Sequence, residues 1–318
     1  MNENAVIKSS KFKVNKSIIF LVGVTLFIYL FFKIQRPSNF GNLSNLFSYL
    51  QQALMPTVAA CGFYFIIVMG LFDFSLGSNI VLSAIVGVLL SRYFGYFGLV
   101  FGAIIVGSTI GLLNGIIYIK LKIPSIIVTI GLMILYECLG ALLANGTVLT
   151  LNDSLNKFGR APYNIILAVI AFVLTYMVLQ RTKIGIYTYA IGSNEKIAAT
   201  MGINVNKYKI IAFVLCGFFA GLMSVLTISY GGAISSATNM SSMSRNFTPI
   251  MGCFFGLAFK KTINPVISML IGEFIITMIL NGLISIGVPT TIQNIVTGVT
   301  LLIIVVFTTK IKKGEVVK

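Results

Sequence analysis

The sequence predicts an all-α polytopic membrane protein of about ten transmembrane helices, arranged as two inverted five-helix halves. Three observations carry this reading. Of 318 residues, 57% are hydrophobic and only 9% are charged, against about 25% charged in a soluble domain, so this chain cannot clothe a globule in polar surface. Its apolar residues fall into ten stretches, most of them near the roughly 20 residues a helix needs to cross a hydrocarbon core of about 30 Å. One motif also occurs twice, in positions that point its copies in opposite directions through the bilayer.

Composition excludes several other classes. The net charge is +16, but the basic residues sit in short loops and tails between apolar runs, a pattern of membrane topology rather than of a basic nucleic-acid groove. The chain has no histidine, the commonest proton shuttle and metal ligand. Its four cysteines, Cys61, Cys138, Cys216 and Cys253, fall inside apolar runs without metal-type pairing and read as small buried hydrophobes. Neither a metal site nor a catalytic residue is indicated.

The spans run approximately over residues 17–33, 49–71, 75–92, 97–119, 124–144, 162–180, 209–230, 247–259, 264–285 and 289–309. Basic residues Lys8, Lys11, Lys13 and Lys16 precede the first, as in a signal peptide. The apolar run ends at Phe31-Phe32-Lys33 rather than at a small-residue cleavage site, so an uncleaved span is expected. Ten spans put both termini on one side. Placing them in the cytoplasm assigns there all of the 23 Lys and Arg residues except Lys33, Arg36, Arg92, Lys157, Arg160 and Arg245, the positive-inside signature. The expected layout is a cytoplasmic basic tail (1–16), a transmembrane region (17–309) with a polar cytoplasmic loop (181–208), and a second basic tail (310–318), in the cell (inner) membrane. The eighth span, Phe247 to Phe259, is short enough to be broken, and is expected to extend backwards into "ISSATNMSSMS". Such backbone is tolerable at membrane depth only where protein or a watery cavity surrounds it.

The repeated motif is "LLNGIIYIKLKIPSIIVTIG" (112–131) and "ILNGLISIGVPTTIQNIVTG" (279–298). Each reads Leu-Asn-Gly, an apolar stretch, then a β-branched residue, proline and a hydroxyl residue. Asn114 falls near the cytoplasmic end of span four and Asn281 near the outer end of span nine, as an inverted repeat of the transporter type requires. Coincidence between similar turns is the plainer alternative.

Polar groups at membrane depth are costly, about 2.5–3.5 kcal/mol for a carboxylate at the bilayer centre. Asp73 and Ser75, in "DFSLGS", read first as a structural cap on span three, with substrate contact second. Glu137 and Glu273 read as hydrogen-bonding groups between helices, as substrate-path residues or as proton carriers. Asn114 and Asn281 share that ambiguity, their glycine neighbours pointing to close helix packing. The loop "YGGAISSATNMSSMSR" (230–245) is a connector or an outer docking surface.

The polar loop between spans six and seven is the longest internal cytoplasmic segment. Asn194 or Ser193 caps a helix expected from about Glu195 to Met201, Glu195 sits in its first turn, and Gly202 stops it. An amphipathic helix resting on lipid is one reading. The small apolar face of Ile197, Ala198 and Met201 suits a protein partner better.

That loop, "RTKIGIYTYAIGSNEKIAATMGINV", resembles the cytoplasmic loop of permease subunits of monosaccharide-type (ribose, galactose, xylose group) ABC importers. The match runs through Arg181, Thr182, Gly185, Tyr189, Ala190, Ile191, Gly192, Asn194, Gly202, Ile203, Asn204 and Val205. "GLFDFSLGS" (70–78) and the first copy of the repeat are similar to further family motifs. After span seven the chain departs from the family's glycine-rich run, keeping Gly252 and Gly256, so the eighth span is expected to be built differently.

The resemblance implies a coupling helix that docks on a separate ATP-binding subunit, through Tyr189, Gly192, Asn194, Glu195, Ala198, Ala199 and Gly202. It also implies an extracytoplasmic solute-binding protein and a second permease copy or paralogue as partners, with ATP and Mg²⁺ held by the ATPase. This chain has no G-x-x-x-x-G-K-[ST] phosphate loop and no cofactor of its own. The rival readings are an ion- or proton-coupled secondary transporter using Glu137 and Glu273, and a membrane scaffold or receptor subunit.

Overall fold

In lipid, every backbone N–H and C=O must be satisfied within its own segment, so apolar stretches of this length fold as helices. The computed structural model describes residues 16–260 and 262–308. The basic tails expected at 1–16 and 310–318 lie outside the described residues, Lys16 apart. In chain order the helices are α1 (Lys16–Gln35), α2 (Leu43–Val68), α3 (Leu76–Leu121), α4 (Ser125–Leu143), α5 (Tyr163–Arg181), α6 (Lys183–Ser193), α7 (Glu195–Thr200), α8 (Val205–Gly231), α9 (Phe247–Phe259), α10 (Pro265–Ile286) and α11 (Thr290–Thr308). Six of them, α2, α3, α4, α5, α8 and α10, are long and apolar enough to cross a membrane, with shorter apolar runs at Leu21–Gln35 and Thr291–Ile303.

Helix α3 has 46 residues, which at 1.5 Å per residue would extend about 69 Å, more than twice the hydrocarbon core. It does not run straight. Gly95 adopts φ 57°, ψ −137°, a conformation open to glycine because it has no Cβ, and the arms 76–94 and 96–121 fold back on each other. Gly87 lies against Leu99 and Ala103, and Gly98 against the Leu90 carbonyl. The two stretches read from sequence as 75–92 and 97–119 are these arms.

The second arm of α3 packs on α8 through glycines. A Cβ placed on Gly217 would stand 2.1 Å from the Gly107 carbonyl oxygen, and one on Gly111 would stand 2.2 Å from that of Phe213. Backbones approach this closely only where side chains are absent, the usual device for helix association without a hydrophobic driving force. Helix α2 crosses the centre: Phe63, Tyr64, Phe65 and Ile66 are fully buried. Exposed apolar side chains on α4 and α5, such as Ile127, Leu135, Leu142, Ile166 and Val173, form the face left to lipid.

Three features differ from the sequence reading. Helix α2 begins at Leu43 rather than near residue 49, because the polar segment 44–52 continues the helix. The polar loop folds as two helices, α6 and α7, where one was expected. The fold is all-α as expected, with one unforeseen addition: short strands β1 (Val148–Thr150) and β2 (Ala233–Ser235) pair antiparallel, Leu149 opposite Ile234, and tie the segment after α4 to the segment after α8.

Two helix connections lack α-helix: residues 69–75, between α2 and α3, which are mostly buried, and residues 232–246, between α8 and α9, which hold β2 and a 3-10 turn (Ser241–Asn246) and are buried at Ile234, Ala237, Ser242 and Asn246. Helix α9 spans 13 residues, about 20 Å at the standard rise, short of a full crossing. The 3-10 turn before it, Ser241–Asn246, includes Ser242 and Asn246, both fully buried.

Candidate functional site

At one end of the bundle, α6 and α7 form a rigid shelf built by successive side-chain caps. Thr182 Oγ1 accepts from Ile184 N at 3.2 Å, Asn194 Oδ1 from Ile197 N at 3.1 Å, and Asn204 Oδ1 from Lys207 N at 3.0 Å. Each satisfies an otherwise orphan donor at a helix start. Gly202 follows with φ 81° and ends α7. Inward contacts fix the shelf to the bundle. Tyr189 and Tyr64 share a hydrogen bond between their hydroxyls at 3.2 Å, and the Tyr187 and Tyr208 rings pack edge to face at 4.7 Å. Ile191 and Ala198 are buried. A Cβ on Gly192 would stand 1.9 Å from the Val68 carbonyl oxygen, so α6 touches the end of α2 backbone to backbone. The buried Lys209 ammonium donates to Glu195 at 2.8 Å and faces the Tyr118 ring at 5.5 Å.

Of the loop residues picked out by sequence, the structure turns Tyr189 and Ala198 toward the bundle and sets Gly192 against α2, leaving Asn194, Glu195, Ala199 and Gly202 exposed. Between them stand two exposed apolar side chains, Ile197 (57% exposed) and Met201 (75%). Sequence reasoning weighed these two, with Ala198, as a small apolar face better suited to a protein partner than to lipid. Their spacing, i and i+4 beside a buried Ala198, is the signal that marks a protruding knob.

Within the bundle a seam of polar residues, in separate hydrogen-bonded sets, lines the connections 69–75 and 232–246. Asp73 Oδ1 accepts from Ser75 N at 2.9 Å and from the Ser75 hydroxyl, so the carboxylate closes an Asx turn just before α3. Its other oxygen accepts from Asn114 Nδ2 at 3.2 Å. That amide also donates to Ser75, and Asn114 Oδ1 accepts from the Tyr136 hydroxyl at 2.8 Å. Ser125 and Thr129 accept from Phe72 N and Phe74 N, each at 3.0 Å. Glu137 accepts from Met240 N at 2.9 Å, from Ser242 N at 2.8 Å and from the Ser242 hydroxyl. The seam thus supplies the hydrogen bonds that secondary structure would otherwise give the two connections.

The second pair of candidates lies elsewhere. Glu273 is fully buried on α10, where Oε1 accepts from Gly252 N at 3.1 Å and Oε2 has no partner among the described residues. Asn281, near the end of α10, donates to Gln52 Oε1 at 3.1 Å and to the Thr277 carbonyl at 2.9 Å. Glu137 and Glu273 are not brought together, and neither are Asn114 and Asn281. Among the described residues no three His, Cys, Asp or Glu side chains converge on a metal site.

A helical membrane bundle with interrupted spans, a polar seam along the breaks and a rigid shelf at one end is the architecture of a transport permease. Residues 45–305 match the family described as branched-chain amino acid transport system / permease component, and the chain belongs to that family. It is therefore a transport component rather than an enzyme. The ribose import permease protein RbsC of Escherichia coli strain K12 is 29% identical over 290 residues, 86% of this chain and 88% of that protein. RbsC of Bacillus subtilis strain 168 is 30% identical over 277 residues, 84% and 85% of the two chains. The galactose/methyl galactoside import permease protein MglC of E. coli K12 is 28% identical over 305 residues, 87% and 90%. No solved structure matches the chain.

Proposed function

We propose that the chain forms the translocation path of an ATP-driven importer for a sugar or a similar small hydroxylated solute, driven through the α6–α7 shelf by a separate ATPase. The observation that carries this is the shelf itself. It is capped, clamped to α2 and α8, and ends in the exposed pair Ile197 and Met201. A solvent-facing apolar knob on a rigid mount is what a groove in a partner protein needs. The relatives named for ribose and galactose import support the solute class. ATP and Mg²⁺ belong to the partner, an extracytoplasmic solute-binding protein supplies the solute, and a second permease copy or paralogue completes the pathway.

In this reading ten segments cross the membrane: α1, α2, the two arms of α3, α4, α5, α8, α9 together with the chain just before it, α10 and α11. Both termini and the shelf are cytoplasmic, as the distribution of Lys and Arg supports. The two five-helix halves are inverted copies. The backbone supports this at the repeated motif, where Lys122 (φ 55°) and Gly287 (φ 86°) each end a helix in the left-handed region two residues before the prolines that open α4 and α11. Asn114 sits toward the shelf end, near Tyr118 and Lys209, while Asn281 sits toward the opposite end, linked through Gln52 to Tyr230 at the close of α8.

The test is Ile197→Glu with Met201→Glu in the importer reassembled with its ATPase and binding protein. Neither side chain is packed, so insertion and thermal stability should stay unchanged while solute-stimulated ATP hydrolysis and uptake are lost. Normal ATP-dependent uptake by the double variant would sink the coupling assignment.

A further inference from the structure

Resting on that solute reading, we infer that Gln52, Tyr230 and Asn281 form an uncharged hydrogen-bonding rung that contacts the hydroxyl groups of the passing solute. The three side chains come from α2, α8 and α10. Asn281 Nδ2 donates to Gln52 Oε1 at 3.1 Å, and Gln52 Nε2 donates to the Tyr230 hydroxyl at 3.3 Å.

The rung has hydrogen-bonding capacity left over. Among the described residues Asn281 Oδ1 accepts nothing, the Tyr230 hydroxyl keeps its own proton, and Gln52 retains one N–H. Such capacity in a wholly buried network would be costly. Here it is not buried: Tyr230 is 44% exposed, and Gln52 and Asn281 are half-buried.

The other copy of the repeat provides the contrast. Asn114 is fully buried, with both ends of its amide engaged by Asp73, Ser75 and Tyr136. One copy of Leu-Asn-Gly therefore sits in a closed buried network, and the other leaves donors and acceptors free on a partly exposed face. A row offering both, with no formal charge, complements a hydroxyl, which donates and accepts at once. It gives no counter-ion to a carboxylate or ammonium group.

Position agrees with this role. Tyr230 is one residue from the end of α8, opposite the end from which α7 emerges, so the rung stands on the side facing away from the shelf.

Two measurements test the inference, both on the complete importer in proteoliposomes. In a Cys138→Ala background, Asn281→Cys is exposed to a membrane-impermeant cationic methanethiosulfonate during ATP turnover. The rung lies on a watery path if it is modified and if millimolar D-ribose or D-galactose slows the modification; reaction only with a lipid-soluble maleimide overturns the inference. Asn281→Leu and Tyr230→Phe should each lower uptake of the labelled sugar about ten-fold, as for one or two lost hydrogen bonds to a hydroxyl. Binding-protein-stimulated ATP hydrolysis, a readout a purely structural defect would also depress, should hold. Unchanged uptake in the Gln52→Leu, Asn281→Leu double variant overturns the rung while leaving the importer reading intact. A wild-type importer without ATP-dependent uptake of any neutral hydroxylated solute overturns that reading instead.

Discussion

Asn246 joins the two interrupted spans through one side chain: its Oδ1 accepts from Gly77 N at the start of α3, and its Nδ2 donates to the Phe74 carbonyl at 2.7 Å. The residue is fully buried and stands 169 positions from Gly77. It caps α3 in trans, while Ser75, the residue in the capping position, makes no side-chain cap.

Asn246→Leu should therefore destabilise the protein by about 2–4 kcal/mol, because it leaves a buried N–H and a buried C=O unpaired at once. Asn246→Asp keeps the acceptor for Gly77 N but loses the donor to Phe74, and should fall between the leucine variant and wild type. Thermal unfolding in detergent micelles, followed by the fraction of soluble protein after heating, gives the order.

Glu137 serves as the latch on residues 240–242. Glu137→Leu orphans two backbone N–H groups and one hydroxyl, for an expected loss of about 3–5 kcal/mol. Glu137→Gln replaces one acceptor oxygen with a donor and should be damaging to a lesser degree. Protease sensitivity of the segment 232–246 in intact membranes should rise in the same order, leucine above glutamine above wild type.

Gly192→Leu should uncouple without unfolding. A side chain there meets the Val68 carbonyl at 1.9 Å, and the shelf must lift away from α2 to admit it. The bundle core around Phe63 and Tyr64 does not depend on that contact. Expected is normal membrane insertion with uptake reduced by ten-fold or more, about the effect of misplacing a docking element by an ångström; uptake within two-fold of wild type would contradict the clamp.

Glu273→Gln separates an ATP-driven importer from a proton-coupled carrier. The Oε1 contact with Gly252 N survives as an amide carbonyl, and the unpartnered Oε2 becomes an amide nitrogen. The variant trades an unpartnered buried oxygen for unpartnered amide N–H donors, a modest cost to stability, while removing the ionisable group. Uptake should persist in the variant and resist a protonophore at constant ATP, whereas abolished uptake in both conditions would assign Glu273 to proton transfer.

Much of this was legible in the sequence, since spans are set by length and hydropathy alone. The short α9 could be seen because thirteen apolar residues are too few to cross a bilayer alone, and the cap at Asn194 because Asn, Glu and Gly stood in the right order. Helix α6 was missed. Its residues, "KIGIYTYAIGS", contain two glycines and several β-branched or aromatic residues, a composition poor in intrinsic helix propensity, and tertiary contacts from Tyr189 to Tyr64 and Gly192 to Val68 fix it instead. The early start of α2 was missed because its first turns are polar. The contact between Glu137 and residue 242 was beyond reach for a different reason. Partners more than a hundred positions apart are chosen by the packing of helices, and no local pattern announces them.

The glycine contact between α3 and α8 has a mechanical meaning. With backbone against backbone at Gly107, Gly111, Gly217 and Gly221, this stretch of the two helices has no side-chain layer that could shear, and it acts as one beam. Residues 201–204 alone separate α7 from α8, which bolts the shelf to that beam at one end. Helix α8 has 27 residues, a length of about 40 Å, and the rung at Tyr230 sits at its far end. In the proposed coupling, a small tilt imposed at Ile197 and Met201 would reach Tyr230 as a displacement, with the glycines setting the stiffness of the lever.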